Sequence, residues 1–173
     1  MFYVENTCEV NQTQQQFIDF VLSDAFPWFY QNATTDSYKV YCHLLMRRDP
    51  NNEDKTGSVE SLVYANAIDL FNSFCLKNDV KYNKILRAAF NTSHYDPDEH
   101  VDIHVDHSFH HYNFIMYLNE FTDGYTYIHD DDNNIVKKIV PSVNKAVVFS
   151  GDKHSHSFCS PKERRVILVI TFN

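Results

Sequence analysis

The sequence predicts an α+β protein in which a double-sheet jelly roll is covered on one sheet by N-terminal helices. After Lys84, short apolar stretches alternate with turn signals, about eight in 90 residues with no helical period among them, as in a jelly roll. Before about residue 80, apolar residues recur instead at spacings of three and four, the period of an amphipathic helix. The chain has 173 residues, of which 43% are hydrophobic, so we expect 1–173 to form a single domain.

The first part, residues 1–80, is predicted to support the core with two helices and one strand. Residues 12–30 carry apolar side chains at helical spacing, and residues 37–48 alternate as a strand does. A polar loop, 49–57, follows. Ser58 is then expected to cap a second helix that ends near Lys77.

The second part, residues 84–173, is predicted to form the jelly-roll core. Its last strand reads RVILVITF and is apolar on both faces, as is typical of a strand buried on both sides. Gly, Pro, Asp and Asn residues lie between the strands, where the chain must turn. The predicted strands cover residues 84–93, 99–106, 112–118, 125–129, 135–140, 145–149, 155–159 and 165–172.

Charge and composition exclude several classes of function. The net charge of −8 argues against a general nucleic-acid binder, which needs a positive field. The sequence shows neither a secretory signal nor a long apolar run, so we expect no membrane partner and a cytoplasmic location. The cysteines are far apart in sequence, which argues against a thiolate zinc site and fits reduced thiols; they are Cys8, Cys42, Cys75 and Cys159.

A group of histidines in the second part points to a metal site. His104-Val105-Asp106 is an H-x-D motif, and side chains two apart on a strand share one face, so both can reach one ion. A later strand supplies another histidine, His156 or His154. Two histidines and one carboxylate form the facial triad of non-haem Fe(II) oxygenases, which leaves the opposite face of the ion open for co-substrate and O2. A structural zinc site would instead be closed.

Arg165 opens the last predicted strand, nine residues after His156. A cation at the start of a buried strand needs an anionic partner, because an unpaired buried charge is costly. The planar guanidinium suits a carboxylate, which either a protein Asp or Glu or a bound ligand could provide. Beside the H-x-D motif, we expect a ligand carboxylate.

Residues 84–173 resemble the 2-oxoglutarate- and Fe(II)-dependent dioxygenases, in the style of their prolyl 4-hydroxylase-like branch. That resemblance implies a double-stranded β-helix with a cupin-like core. The order of the matching segments is more specific than any one of them. They are HVD (104–106), YLN (117–119), DGYT (123–126), VP (140–141), AVVF (146–149), HSFCSP (156–161) and RRVILVITF (164–172).

The resemblance also implies a role for each matching residue. His104, Asp106 and His156 correspond to the three iron ligands. Arg165 corresponds to the arginine that binds the C5 carboxylate of 2-oxoglutarate, and Tyr117 to the tyrosine that donates its hydroxyl to the same carboxylate. Further residues are expected to line the pocket, namely Thr126, Ile115, Val169 and Thr171.

Two choices around the metal site stay open. His100-Val101-Asp102 is a second H-x-D motif; we prefer His104-Val105-Asp106 because it lies at the end of its predicted strand. His154 competes with His156, which is favoured by its spacing to Arg165 and by the SFCSP that follows it.

The arginine that holds the co-substrate is also open, because Arg164 competes with Arg165. If Arg164 were the anchor, the inward face of the last strand would shift by one residue.

The resemblance implies Fe(II), 2-oxoglutarate and O2 as cofactor and co-substrates, and allows ascorbate in addition. It implies hydroxylation of an unactivated C–H, with a peptidyl proline or another protein side chain as the favoured substrate. The alternatives are the same chemistry on a small metabolite or a nucleobase, a related metal enzyme that does not use 2-oxoglutarate, and a non-catalytic jelly-roll binding module. The frequent Asn, Asp, Lys, Tyr and Phe would fit an AT-rich coding genome, such as that of a phage or virus.

Overall fold

The computed structural model describes residues 2–31, 40–95 and 102–173. Two helices and eleven strands form in these ranges. In chain order they are β1 (Tyr3–Thr7), α1 (Gln12–Leu22), β2 (Phe29–Gln31), β3 (Val40–Arg47), β4 (Ser58–Val59), α2 (Tyr64–Lys77), β5 (Ile85–His94), β6 (Tyr112–Tyr117), β7 (Thr126–His129), β8 (Ile135–Ile139), β9 (Lys145–Ser150), β10 (His154–His156) and β11 (Arg164–Phe172).

The strands form two antiparallel sheets, as the sequence predicted. The major sheet has the order β1-β9-β6-β11-β5-β3-β2, with β4 added to β3. The minor sheet has the order β10-β7-β8. An isolated antiparallel bridge joins His104 to His154, so the H-x-D segment lies along the free side of β10. Non-consecutive strands are neighbours in both sheets, which is the arrangement expected of a jelly roll.

Two hydrophobic cores hold these layers together, and β6 contributes to both. Phe114 and Met116 belong to the larger core, which packs the two helices against the major sheet. Ile115 and Tyr117 alternate with them and point into a smaller core between the two sheets. The helices therefore cover one face of the major sheet, as predicted, and the minor sheet covers the other.

Helix α1 is fixed at its start and to its neighbouring helix. The Asn11 side chain accepts a hydrogen bond from the Gln14 backbone at 2.9 Å, and the Gln14 side chain accepts one from the Asn11 backbone at 3.0 Å, which completes a capping box. Gln14 is buried, and its amide nitrogen also donates to Asp69 and Ser73 of α2 at 2.8 and 2.9 Å. One glutamine thus caps α1 and ties it to α2.

Two helix predictions were wrong in their bounds. The first helix ends at Leu22 instead of running to residue 30, because the chain turns at Ser23 and becomes the short strand β2 from Phe29. The second helix does not begin at Ser58. Residues Ser58–Val59 pair with β3 instead, and α2 begins at Tyr64.

Seven of the eight predicted core strands are present, with ends shifted by a few residues. The exception is the strand predicted over 99–106. Residues 96–101 lie outside the described ranges, and in 102–106 only His104 makes a strand-like bridge. Residues 32–39, which include the start of the predicted strand 37–48, are also outside the described ranges.

The four cysteines are free and buried. Burial raises the pKa of Cys8 and of Cys75 to about 12, so both thiols stay protonated at neutral pH. Neither of the helices in the described ranges is long and apolar enough to cross a membrane.

Candidate active site

A cavity of about 410 Å³ opens between the two sheets. Five of the six site residues predicted from the sequence line it, and the sixth, Tyr117, lies directly behind Thr126. Ile115, Ile167 and Val169 of the major sheet form an apolar part of its wall. The predicted Thr171 lies instead against His107, whose Nε2 is 3.0 Å from the threonine hydroxyl.

One end of the cavity brings together His104, Asp106 and His154. The backbones of the two histidines exchange hydrogen bonds of 3.0 and 2.9 Å, and their ring centroids are 4.4 Å apart. Asp106 places Oδ2 3.5 Å from His154 Nε2. Its other oxygen, Oδ1, accepts a hydrogen bond from Arg48 at 3.2 Å.

The hydrogen bonds of the two imidazoles fix which nitrogen is free to bind a metal. His104 Nδ1 is 2.9 Å from the carbonyl oxygen of Asp102, and His154 Nδ1 is 3.1 Å from that of Asp152. A carbonyl oxygen only accepts, so both Nδ1 atoms carry a proton, and in a neutral ring this leaves the lone pair on Nε2. Metal-binding histidines are commonly held in this way.

Charge and burial make this end of the cavity suited to a cation. Burial lowers the pKa of His154 to about 4, although the Asp106 charge opposes the shift, so the ring is neutral at pH 7. Burial tends to raise the pKa of the Asp106 carboxyl, but positive charges nearby outweigh burial and lower this pKa overall. These charges are on His154, Arg87, His104 and Arg48. The Asp106 carboxyl is therefore ionised at neutral pH. A lone pair of His154 therefore faces a carboxylate oxygen, and a shared cation would stabilise both.

The described residues do not already form a finished metal centre. No group of three or more His, Cys, Asp or Glu side chains in those ranges is arranged so that it could hold a metal ion. Binding would therefore require the side chains to move closer together, and Asp106 would do so from its ion pair with Arg48.

His156, the third ligand predicted from the sequence, also lines the cavity, and its role as a ligand stays a prediction. The structure puts His154, the alternative left open by the sequence, beside Asp106, because the bridge to His104 falls on His154. His156 lies two residues further along β10 and pairs with Thr126 of β7. Burial and the nearby Arg165 charge lower the pKa of His156 well below its usual value. The competing His100 lies outside the described residues.

The other end of the cavity holds Arg165, which is 3% exposed. Its Nε donates to the carbonyl oxygen of Gly124 at 3.2 Å, and its Nη2 donates to the Thr126 hydroxyl at 3.1 Å. Tyr117, fully buried, donates its hydroxyl to the same Thr126 oxygen at 2.8 Å, and the guanidinium lies 5.7 Å from the Tyr117 ring centroid. These contacts orient a guanidinium, two hydroxyls and an aromatic ring at the end of the cavity away from Asp106.

Arg164 points to the opposite side of β11. Its Nη2 donates to the carbonyl oxygen of Leu22, at the end of α1. Consecutive side chains on a strand face opposite sides, so only one of the two arginines can enter the cavity. That residue is Arg165.

Sequence reasoning missed the polar residues that β5, the end of β3 and the residue after β3 contribute. Arg47, Arg48, Arg87 and Asn91 all line the cavity. The Arg47-Arg48 pair is conspicuous in the sequence, but nothing local shows that it faces the metal end. Arg87 and Asn91 lie on the same face of β5, but their spacing predicts a place in the cavity only when it is known that this face points inward.

The comparison with known families decides the assignment. Residues 90–173 match the family model described as the 2OG-Fe(II) oxygenase superfamily. These residues, just under half of the chain, belong to this superfamily, whose members are Fe(II)- and 2-oxoglutarate-dependent dioxygenases that use O2. No curated protein matched the sequence.

Solved structures share the fold of this oxygenase at low sequence identity. An oxidoreductase of the 2OG-Fe(II) oxygenase family from Burkholderia pseudomallei is 16% identical, with a TM-score of 0.74. The superposition covers 99% of this chain and 85% of the Burkholderia chain. A prolyl-4-hydroxylase from Pseudomonas putida is 13% identical with a TM-score of 0.59, covering 99% and 92%. A Trichoplax adhaerens prolyl hydroxylase, solved with a hypoxia inducible factor peptide fragment, is 11% identical with a TM-score of 0.62, covering 98% and 82%.

Proposed function

We propose that this oxygenase hydroxylates an unactivated C–H of a protein or peptide substrate, with peptidyl proline as the first candidate. The observation that carries the proposal is the cavity, which has a His–Asp–His group at one end and the Arg165 group at the other. The prolyl-hydroxylase relatives support the choice of substrate, since two of the similar structures carry that name. The YLN segment at Tyr117 supports it from the sequence.

The ligand set that we propose is His104, Asp106 and His154, in place of the set with His156. Both imidazoles present an unprotonated Nε2, and Asp106 supplies the carboxylate that the facial triad needs. Bound Fe(II) would supply oxidation of a substrate C–H, coupled to decarboxylation of 2-oxoglutarate. His156 then lines the cavity between the metal end and Arg165.

The remaining residues hold and shield the co-substrate. Arg165 would bind the C5 carboxylate of 2-oxoglutarate, and a charge-assisted hydrogen bond of this kind contributes about 1.5–3 kcal/mol. Thr126 and Tyr117 fix the position of the guanidinium, and the Thr126 hydroxyl, which accepts from both Tyr117 and Arg165, has its own proton to donate to the same carboxylate. The apolar side chains of Ile115, Ile167 and Val169 exclude water from the space between the two ends.

The ligand assignment is tested by metal affinity, independently of turnover. Mn(II) binding, followed by calorimetry, should be lost in His104→Ala, Asp106→Ala and His154→Ala. It should persist in His156→Ala, the matched control from the same strand. If His156→Ala lost Mn(II) and His154→Ala kept it, the set predicted from the sequence would be the correct one.

The reaction itself is tested by product formation. The Fe(II)-loaded protein should convert 2-oxoglutarate to succinate, and a proline-containing peptide should gain one oxygen atom by mass spectrometry. Omitting ascorbate from the same assay tests whether it is needed. Succinate formation without any oxidised peptide would retain the oxygenase chemistry and move the substrate to the small-metabolite or nucleobase class.

A further inference from the structure

Positive charge is concentrated in the cavity of a protein that is acidic overall. The chain has a net charge of −8 and five arginines, of which Arg47, Arg48, Arg87 and Arg165 line the cavity. Among the described residues, the only acidic side chain in the lining is Asp106. A divalent metal and the dianion 2-oxoglutarate cancel each other in charge, so loading the site leaves this surplus unchanged.

Three of the four arginines already have a partner or an assigned role. Arg165 is assigned to the co-substrate, and Arg48 binds Asp106 at 3.2 Å. Arg47 is mostly exposed and lies 3.3 Å from Glu60. Arg87 differs from these, because it is half-buried and makes no hydrogen bond or ion pair with any residue of the ranges 2–31, 40–95 and 102–173. The Arg87 charge helps to lower the pKa of Asp106, but the direct ion pair of that carboxylate is with Arg48. A cation that is partly removed from water without an anion in contact is costly, which favours an anion beside it.

Arg87 lies on the inward face of β5 together with other unsatisfied polar groups. Asn91 and Ser93 share that face, since side chains at even spacing on a strand point the same way. Within the described part of the chain, Asn91 Oδ1 and the Ser93 hydroxyl are buried without a hydrogen-bond partner. The register with β11 puts Ser93 opposite Arg165 and Arg87 opposite Thr171. β5 thus presents a polar row that runs along the cavity from its co-substrate end.

We propose that Arg87 recognises a carboxylate of the substrate, so that the oxygenase acts on an acidic substrate. This inference rests on the proposed function and specifies its substrate class. A planar guanidinium binds a carboxylate through two parallel hydrogen bonds, and Asn91 provides an acceptor for an N–H of the same substrate. The carboxylate comes from an Asp or Glu beside the modified residue of a peptide, or from a free amino or dicarboxylic acid.

The test measures succinate formed by the full-length, Fe(II)-loaded protein at saturating 2-oxoglutarate, above the rate without added substrate. The probes are a proline-centred peptide pool with Asp and Glu at the flanking positions, the same pool with Asn and Gln, a pool of free amino and dicarboxylic acids, and a pool of nucleoside monophosphates. We expect stimulation by the acidic peptides or by the free acids, whichever source is correct, and none by the amide pool.

Variants link that stimulation to Arg87. Arg87→Met should raise the half-saturating concentration of the stimulating probe at least about tenfold, the loss expected for a charge-assisted contact. Arg87→Lys should retain part of the effect, and Lys81→Met, which removes an exposed surface charge, should behave as the wild type. Circular dichroism checks that each variant folds.

Several outcomes would overturn the inference. Equal stimulation by the amide pool, stimulation by nucleoside monophosphates alone, or an unchanged response of Arg87→Met would each do so. If none of the acidic probes stimulated succinate formation, the inference about Arg87 would also be wrong. The proposed function would still stand in that case, provided that the protein formed succinate without added substrate. Loss of both succinate formation and 2-oxoglutarate binding in the wild type would instead contradict the proposed function.

Discussion

At the scale of single residues, Thr126 connects the parts of the proposed co-substrate clamp. Thr126 is 1% exposed, and its hydroxyl oxygen accepts hydrogen bonds from both Arg165 and Tyr117. Burial raises the pKa of Tyr117, although the Arg165 charge opposes the shift, so the phenol stays protonated and remains a donor. Two buried donors therefore depend on one threonine oxygen.

Replacing that oxygen should cost stability. Thr126→Val keeps the shape of the side chain but leaves the Tyr117 hydroxyl and one Arg165 N–H without their acceptor, so we expect a loss of about 1–3 kcal/mol in the free energy of unfolding. Thr126→Ser, which keeps the hydroxyl and loses only a methyl group, should cost about 1 kcal/mol. Urea denaturation measures both. A valine variant more stable than the serine variant would contradict the role given to the hydroxyl.

At the scale of elements, the junction between the 49–57 loop and β4 depends on Gly57. A Cβ there would lie 2.0 Å from the carbonyl oxygen of Arg47 and 2.9 Å from that of Leu86, both backbone atoms that cannot rotate away. A larger residue at position 57 is therefore excluded by lack of space. This close approach lets Ser58–Val59 pair with β3, where the sequence had predicted the start of a helix.

A methyl group at this position should disturb the strand pairing. Gly57→Ala is expected to destabilise the fold by about 1–3 kcal/mol, the usual cost of overpacking a closely packed site. The neighbouring Ser58→Ala should stay within about 0.5 kcal/mol of the wild type, because it changes an exposed position. Thermal and urea unfolding compare the two. Equal stability of Gly57→Ala and the wild type would show that the two chain segments can separate without cost.

At the scale of the whole molecule, the cavity lies between two sheets that belong to different parts of the sequence. β5 and β11 supply one wall, and β10 with the segment of His104 supplies the other. The smaller core, which includes Ile115, Ile128 and Ile167, joins the two sheets beside the cavity. A ligand that contacts both walls should therefore stabilise the folded chain as a unit.

Ligand binding should thus raise the free energy of unfolding, because the ligand binds the folded state and not the unfolded one. At a concentration one hundred times the Kd, a ligand that binds only the folded state adds about 2.7 kcal/mol. We expect Mn(II) alone to give one increment in melting temperature and 2-oxoglutarate to add a second. Arg165→Met should lose the second increment and keep the first, whereas Arg164→Met, whose side chain faces Leu22, should keep both. A missing second increment in Arg164→Met would move the anchor to that residue.

The sequence by itself determined the fold class and most of the cavity. Strand periodicity predicted the jelly roll, because alternation reports which faces are buried whatever their partners are. An arginine at the start of a strand apolar on both faces predicted an inward guanidinium, and Arg165 is inward. The H-x-D motif predicted that His104 and Asp106 lie together, and both line the cavity.

Only the tertiary structure separated His154 from His156 and drew attention to Arg87. The two histidines are two residues apart and share a face of β10, so alternation treats them alike. The bridge to His104 places His154 beside that segment, and on this the proposed ligand set rests. Arg87 enters the cavity because β5 pairs with β11 in a register that puts it opposite Thr171. Pairing between distant strands sets such positions, and a local pattern carries no information about that register.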